Sequence, residues 1–494
     1  MTATTPGSAT GAAGAPETYD VVIIGAGPAG ENVADRVVQG GLTAAIVERE
    51  LVGGECSYWA CMPTKALLRD AAAVRAARAL PAAGRAVSGE LDVDAVLRRR
   101  DRFASDWNDA GQVGWLEGVG ITLVRGNGRI TGSRSVTVTH ADGTTTVLAA
   151  RQAVVIATGT SAQVPPIPGL AEVKPWTSRD AAAVRTVPER LAIIGGGVVG
   201  SEMATAFSAL GSRVTVISRT RMLPGVETFA GEHVATALEA AGVTLHLEAE
   251  ATAARRDAEG AVHLTMGDGG VVTADEVLVA TGRTPNTKDL GLDHLGLAAG
   301  GWLAVDESLA VVDEAGMPVD GGWLYAAGDV NARVLLTHHG KYQARALGDA
   351  IAARARGDRP DLSAWGRHAV TADERAVTQV VFTDPEVAAV GLSAETAAAA
   401  GIEVRVADYD LGAVAGASLH ADSYRGQARM VIDAERNVLV GFTAVGPDVA
   451  ALLHAATIAV TAEIPLERLW HAVPAYPTIS EIWLRLLETD GRDH

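Results

Sequence analysis

Cysteine is nearly absent: the 494-residue chain holds two, Cys56 and Cys61. So few exclude a disulfide scaffold, and in a reducing compartment a lone pair is metal-binding, catalytic or incidental. Long apolar runs are missing too, and no uninterrupted stretch approaches the ~20 residues that span a bilayer. No membrane partner is expected. Positive charge is in deficit, with 41 Lys and Arg against 59 Asp and Glu, a formal net charge of -18. Such a field repels phosphate backbones, and no basic stripe with interleaved aromatics opposes it locally, so nucleic acid is not an expected partner. The first seventeen residues, MTATTPGSATGAAGAPE, lack the basic start and apolar centre of a secretory leader. Their Ala, Gly, Thr and Pro content cannot support a packed core, so residues 1–17 read as a disordered tail on a cytoplasmic protein.

What is present is organised around two glycine turns. A chain this long, 48% apolar, needs several cores. The run YDVVII over 19–24 leads straight into Gly25-Ala26-Gly27-Pro28-Ala29-Gly30, and a helical segment follows. In a strand–turn–helix unit, Gly25 permits the tight turn, Gly27 lets a pyrophosphate approach the backbone and Gly30 lets helix and strand pack closely. The helix N-terminus then faces the phosphates. The next strand ends in Glu48, eighteen positions after Gly30, where a ribose-binding carboxylate belongs.

The layout recurs at Leu191–Ile194, followed by Gly195, Gly197 and Gly200 in the same spacing and a strand over 213–217. Eighteen positions after Gly200 stands Ser218, with Arg219 and Arg221 close behind. A carboxylate there would repel a 2′-phosphate, whereas a small hydroxyl and two guanidiniums accept one. The second unit therefore leans towards NADPH, with NADH as the alternative. Two dinucleotide units in one chain suggest a flavin reduced by a nicotinamide.

Both cysteines lie in GECSYWACMPTK, just after the first unit. Zinc would need two further ligands, and neither cysteine nor paired histidines supply them. A structural bridge this local gains little from loop closure. Redox chemistry is the favoured reading, and no metal site is expected. Pro63 suits the first turn of a helix, whose dipole, with Lys65 nearby, would stabilise a thiolate.

With these residues the sequence resembles the FAD-dependent pyridine nucleotide-disulfide oxidoreductases, the class I family of dihydrolipoamide dehydrogenase, glutathione reductase, mycothione reductase and mercuric reductase. The motifs carrying the likeness run in order from about residue 18: GGECSYWACMPTK, Ala157-Thr158-Gly159, GGGVVGSE at 195–202, Ala280-Thr281-Gly282-Arg283, Tyr325-Ala326-Ala327-Gly328-Asp329, Val381-Phe382-Thr383-Asp384-Pro385-Glu386 and Pro477-Thr478-Ile479-Ser480-Glu481. The resemblance implies an α/β architecture of two Rossmann-like domains, for FAD and NAD(P), the second inserted in the first, plus a C-terminal α+β dimerisation domain. Its segments would be 18–167 and 291–362 for FAD, 168–290 for the nicotinamide nucleotide, and 363–494 for homodimer formation.

It further implies that Cys61 is the flavin-side thiol and Cys56 the interchange thiol, and that Lys65 and Glu202 form an ion pair near flavin and nicotinamide. Gly128, Thr158, Gly159, Gly328 and Asp329 would line the FAD site, and Gly282 the nicotinamide site. The family histidine that acts as acid and base, oriented by a glutamate, is replaced by Tyr476, while Glu481 is retained. A phenol is a poor proton acceptor at neutral pH. The expected function is transfer of two electrons from NAD(P)H through FAD and a Cys56/Cys61 disulfide to a small disulfide-type substrate. The alternative is a quinone or small-acceptor reductase; the chain end LLETDGRDH lacks the cysteine pair of mercuric reductases, which makes mercury the weaker candidate.

Overall fold

The computed structural model describes residues 15–491. The expected tail lies almost wholly outside the described residues; its last member, Glu17, opens the strand Glu17–Ile24. The chain divides into two compact units. The first comprises residues up to 54 with 109–160 and 285–370, and the second 55–108, 161–284 and 371 onward.

In the first unit, Val21, Val22, Ile23 and Ile24 are all buried, as a strand covered on both faces requires. They pair in parallel with Ala44–Glu48 on one side and with Thr145–Ile156 on the other. The latter strand is twelve residues long and serves two further neighbours. Its first half pairs antiparallel with Ser135–Thr139 and its last three residues pair in parallel with Leu324–Ala326. Helix Pro28–Gln39 follows the glycine turn, with proline at its start, where a missing N–H is harmless. Helix Thr337–Ala355 lies so close to it that a Cβ on Gly348 would sit 2.5 Å from the Cβ of Arg36. Arg36 reaches across to Asp349 with paired 2.8 Å hydrogen bonds from Nε and one terminal nitrogen.

The second unit contains a parallel four-stranded sheet in the order Thr244–Leu247, Arg213–Ser218, Arg190–Ile194, Glu276–Val279. It also contains an antiparallel five-stranded sheet in the order Thr378–Val381, Glu386–Gly391, Val438–Gly446, Gln427–Asp433, Val404–Asp410. This division differs from the one drawn on the sequence, which kept residues 55–108 with the FAD segments and the two sheets in separate domains. The reason is a shared core. Leu67 and Leu68 of helix Cys61–Arg78 and Val96 and Leu97 of helix Val93–Phe103 pack with Ile193, Met203 and Phe207. Val381, Val387 and Val445 of the five-stranded sheet join the same cluster. Among the described residues no helix is long and apolar enough to cross a membrane.

Candidate active site

Cys56 lies in the short helix Gly54–Tyr58 and Cys61 opens helix Cys61–Arg78. The two are joined as a disulfide with their Cα atoms 4.7 Å apart. One turn into the long helix, Lys65 Nζ donates to Glu202 Oε2 at 2.7 Å. Glu202 sits in helix Val198–Ala209, directly after the second glycine turn, and is buried. Its other oxygen accepts the Phe382 backbone N–H at 3.0 Å, and the ammonium stands 5.0 Å from the Phe382 ring centroid. A buried carboxylate must find partners for both oxygens. Glu202 finds one on the disulfide helix and one at Phe382, in the loop that follows strand Thr378–Val381, so it fixes the start of the disulfide helix.

Sequence reasoning missed a second group of residues around the bridge. Glu55 accepts from Arg179 Nε at 2.9 Å, and Arg283 approaches its other oxygen at 3.4 Å. The Arg179 guanidinium also lies 4.1 Å from the Trp59 ring centroid. Trp107 Nε1 donates to the Tyr58 carbonyl at 3.1 Å. Trp107 ends a run of three non-glycine residues, Ser105, Asp106 and Trp107, with φ of 50°, 50° and 54°. Left-handed backbone of this kind costs about 1–2 kcal/mol per residue and persists where the surroundings enforce it. The available signal was Glu55 itself, a charge next to Cys56 that requires a cation.

The nicotinamide-type turn lines a cavity of about 710 Å³ with Gly195, Gly197, Ser218, Arg219 and Gly282 on its wall. A Cβ on Gly200 would stand 1.9 Å from the Gly195 carbonyl oxygen, whereas one on Gly197 would meet nothing within 4 Å. The outer glycines thus permit close packing, and the middle one leaves backbone open to a ligand, which fits a pyrophosphate. Arg221 departs from expectation. Its guanidinium donates to the carbonyls of Met222, Leu223, Pro224 and Val226 and is spent on holding that loop. Of the expected phosphate cluster, Ser218 and the exposed Arg219 remain at the cavity.

In the first unit the same steric logic holds Gly25 and Gly30: a Cβ on Gly30 would lie 1.9 Å from the Gly25 oxygen. Gly27 has only Gly54 Cα near its position, at 4.0 Å. Glu48 accepts the N–H groups of Ala26 at 2.8 Å and Glu50 at 2.7 Å, which orients its carboxylate at the turn. Gly128 packs a bare Cα against Ile24 and Val47. Asn286 holds Thr158 and Gly159 by their carbonyls, and Thr160 donates to Asp329 at 2.9 Å. The Gly328 N–H donates to Gln343 Oε1 at 2.8 Å. Thr158 Oγ1 is buried with no partner among the described residues. A buried hydroxyl left unpaired is costly, so this atom and the open Gly27 fit a polar dinucleotide such as FAD.

Glu31, in the first turn after Gly30, carries a testable anomaly. One carboxyl oxygen is buried without a partner among the described residues. Burial pushes the group up to about 7, against an opposing pull from Lys341 and with a small push from Glu48. A raised acid holds its proton longer in the folded than in the unfolded chain, so stability is greatest below the unfolded pKa. It falls as pH rises from about 4.5 to 7 and is level above that. Glu31→Gln is therefore expected to stabilise the protein by on the order of 2 kcal/mol at pH 8 and by little at pH 4.5. Urea midpoints at the two pH values check this; an equal shift at both would disprove it.

At the C-terminal end, Tyr476 is 74% exposed. Glu481 is buried, but its Oε1 accepts from Arg485 at 2.5 Å and its Oε2 has no partner among the described residues. The carboxylate that would orient a base is tied instead to an arginine one helical turn on.

Comparison with known proteins accords with this geometry. The family model "Pyridine nucleotide-disulphide oxidoreductase" matches residues 19–347, and its dimerisation-domain companion matches 377–486. A mercuric reductase of Acidithiobacillus ferrooxidans is 32% identical over 96% of this chain and 83% of its own. A dihydrolipoyl dehydrogenase of Thermus scotoductus is 33% identical over 94% of this chain and 96% of its own. Among solved structures, LpdA from Mycobacterium tuberculosis superposes with a TM-score of 0.79 at 25% identity, covering 96% of this chain and 99% of its own. The copper(II) complex of the HOCl-induced flavoprotein disulfide reductase RclA from Escherichia coli gives 0.80 at 23% over the same shares, a likeness of fold.

Proposed function

The chain belongs to the pyridine nucleotide-disulphide oxidoreductase family, class I, flavoprotein enzymes acting on NAD(P)H, and we propose that it reduces a small disulfide-type substrate with NADPH. The observation that carries this reading is the Cys56–Cys61 bridge at the start of a helix pinned by Lys65 and Glu202. Gly25, Gly27, Gly30, Glu48, Gly128, Thr158, Gly159, Gly328 and Asp329 would hold FAD, which would supply the link between a two-electron hydride donor and a thiol pair. The nicotinamide nucleotide would be held by Gly195, Gly197, Gly200, Gly282, Ser218 and Arg219, next to Glu202. A dimerisation domain supports a homodimer.

The chain's own residues do the rest. Once the bridge is reduced, the helix start and Lys65 favour thiolate over thiol. Cys56 attacks one sulfur of the substrate and expels the other as a thiolate, giving a mixed disulfide. Cys61 then attacks Cys56, releases the second thiolate and restores the bridge. Two electrons and two protons have passed to the substrate, the protons from water or the Tyr476 phenol. The second reading, reduction of quinones or other small acceptors without thiol exchange, is favoured by one feature: Glu481 is bonded to Arg485, one helical turn on, and among the described residues its other oxygen holds no base.

Anaerobic titration of the purified protein with NADPH and NADH tests the proposal. Uptake of about four electrons per subunit, with free thiols appearing at Cys56 and Cys61, is expected; two electrons and no thiols would refute it. Arg219→Ala should raise KM for NADPH about tenfold or more, as loss of a charge-assisted phosphate contact does, and leave KM for NADH nearly unchanged. Equal effects on both would remove the 2′-phosphate role.

A further inference from the structure

We propose that Arg179 and Trp107 form a two-armed brace that keeps the Cys56–Cys61 loop in its closed shape while the bridge is open, and thereby set its dithiol/disulfide equilibrium. The first arm is Arg179. It holds Glu55, immediately before Cys56, and covers Trp59, inside the loop, with the same guanidinium. The second arm is Trp107, whose indole N–H holds the carbonyl of Tyr58, also inside the loop.

The arms are joined. Arg100, 1% exposed, stacks on the Trp107 ring with 5.4 Å to its centroid and donates to the carbonyls of Ala182 and Val184. Ala182 ends the short helix Ser178–Ala182 that carries Arg179, and a reciprocal Thr177–Asp180 cap fixes the start of that helix. The left-handed run over Ser105, Asp106 and Trp107 gives the strain a purpose, because it delivers the indole to the loop.

None of these contacts uses a sulfur, so reduction leaves them in place. A loop held just before Cys56 and again at Tyr58 and Trp59 keeps its two thiols at high effective concentration, which favours re-closing. Loss of the brace frees the loop and favours the open dithiol. Arg179 and Trp107 are thus positioning residues. This rests on the reading that the bridge opens and closes in turnover.

The test is a thiol–disulfide equilibrium on the full-length protein as purified. The protein bridge plus dithiothreitol gives two protein thiols and cyclic oxidised dithiothreitol, so two electrons and two protons balance. The mixture is trapped with an alkylating reagent and read by mass. Arg179→Ala is expected to shift the equilibrium towards dithiol about tenfold, ~30 mV for this two-electron couple. Trp107→Phe, which keeps the ring and removes the donor, should shift it the same way by less, and Arg179→Lys should recover part of the loss.

Unfolding midpoints run alongside separate a loop effect from general loosening. If Arg179→Lys and Trp107→Phe both stay within twofold of the parent, the brace is refuted, whether or not Arg179→Ala folds. A parent protein whose bridge exchanges with dithiothreitol but is not opened by NADPH would refute the functional reading and leave the brace standing.

Discussion

Replacing Cys56 by serine is expected to lower turnover of disulfide-type substrates by roughly a thousandfold or more, the scale seen when a covalent nucleophile is removed. The bridge cannot form, and the attacking sulfur is gone. A hydroxyl in its place is not ionised at neutral pH and does not exchange with disulfides. Reduction of a quinone by NADPH should survive within a few-fold, because nothing in that reaction requires a sulfur to leave Cys61. Parallel steady-state assays with a disulfide and a quinone read the contrast. Disulfide turnover that persists in the variant would transfer the protein to the small-acceptor reading, and loss of both activities would mean that the bridge governs electron delivery generally.

The second large effect is expected at Lys65. Lys65→Met removes the ammonium 2.7 Å from Glu202 and leaves a buried carboxylate with the Phe382 N–H as its remaining hydrogen bond. Stranding one member of a buried pair typically costs 3–5 kcal/mol. Lys65 is about one-third exposed, so water screens part of the loss, and about 2–4 kcal/mol is expected. Lys65→Met with Glu202→Gln should regain most of it, since the remaining amide is neutral and can still accept from Phe382. Denaturant unfolding of parent, single and double variants measures the coupling. A single variant within 0.5 kcal/mol of the parent would show that the pair does not anchor the helix.

Much of this site was legible in the sequence because its rules are local. The spacing of Gly25, Gly27 and Gly30, repeated at Gly195, Gly197 and Gly200, follows from how near a helix start can come to its strand, and the turns form as expected. The Lys65–Glu202 pair came through the family likeness and is present. Arg221 was misread because a guanidinium beside a strand end looks the same in sequence whether it faces a phosphate or curls onto its own loop carbonyls. Arg179 and Trp107 lie far from the cysteines in sequence, and the left-handed run at Ser105–Trp107 contains no glycine to announce it. The attachment of Glu481 to Arg485 did have a local signal, the i,i+4 spacing on a helix, which the family glutamate overshadowed. The packing of residues 55–108 was not legible for another reason: they follow the first glycine turn in the chain but bury Leu67, Leu68, Val96 and Leu97 with the second unit.

That shared core has a bearing on how such a protein can be rebuilt. Ile193 and Phe207, on the strand and helix that flank the second glycine turn, belong to the same apolar cluster as Leu67 of the sulfur-bearing helix and Val381 of the five-stranded sheet. Grafting a foreign module in place of residues 161–284 would leave Leu67 and Val381 without part of their apolar cover. An exchange of coenzyme preference is therefore more readily made by point changes at the rim, around Ser218 and Arg219, than by transplanting the module whole.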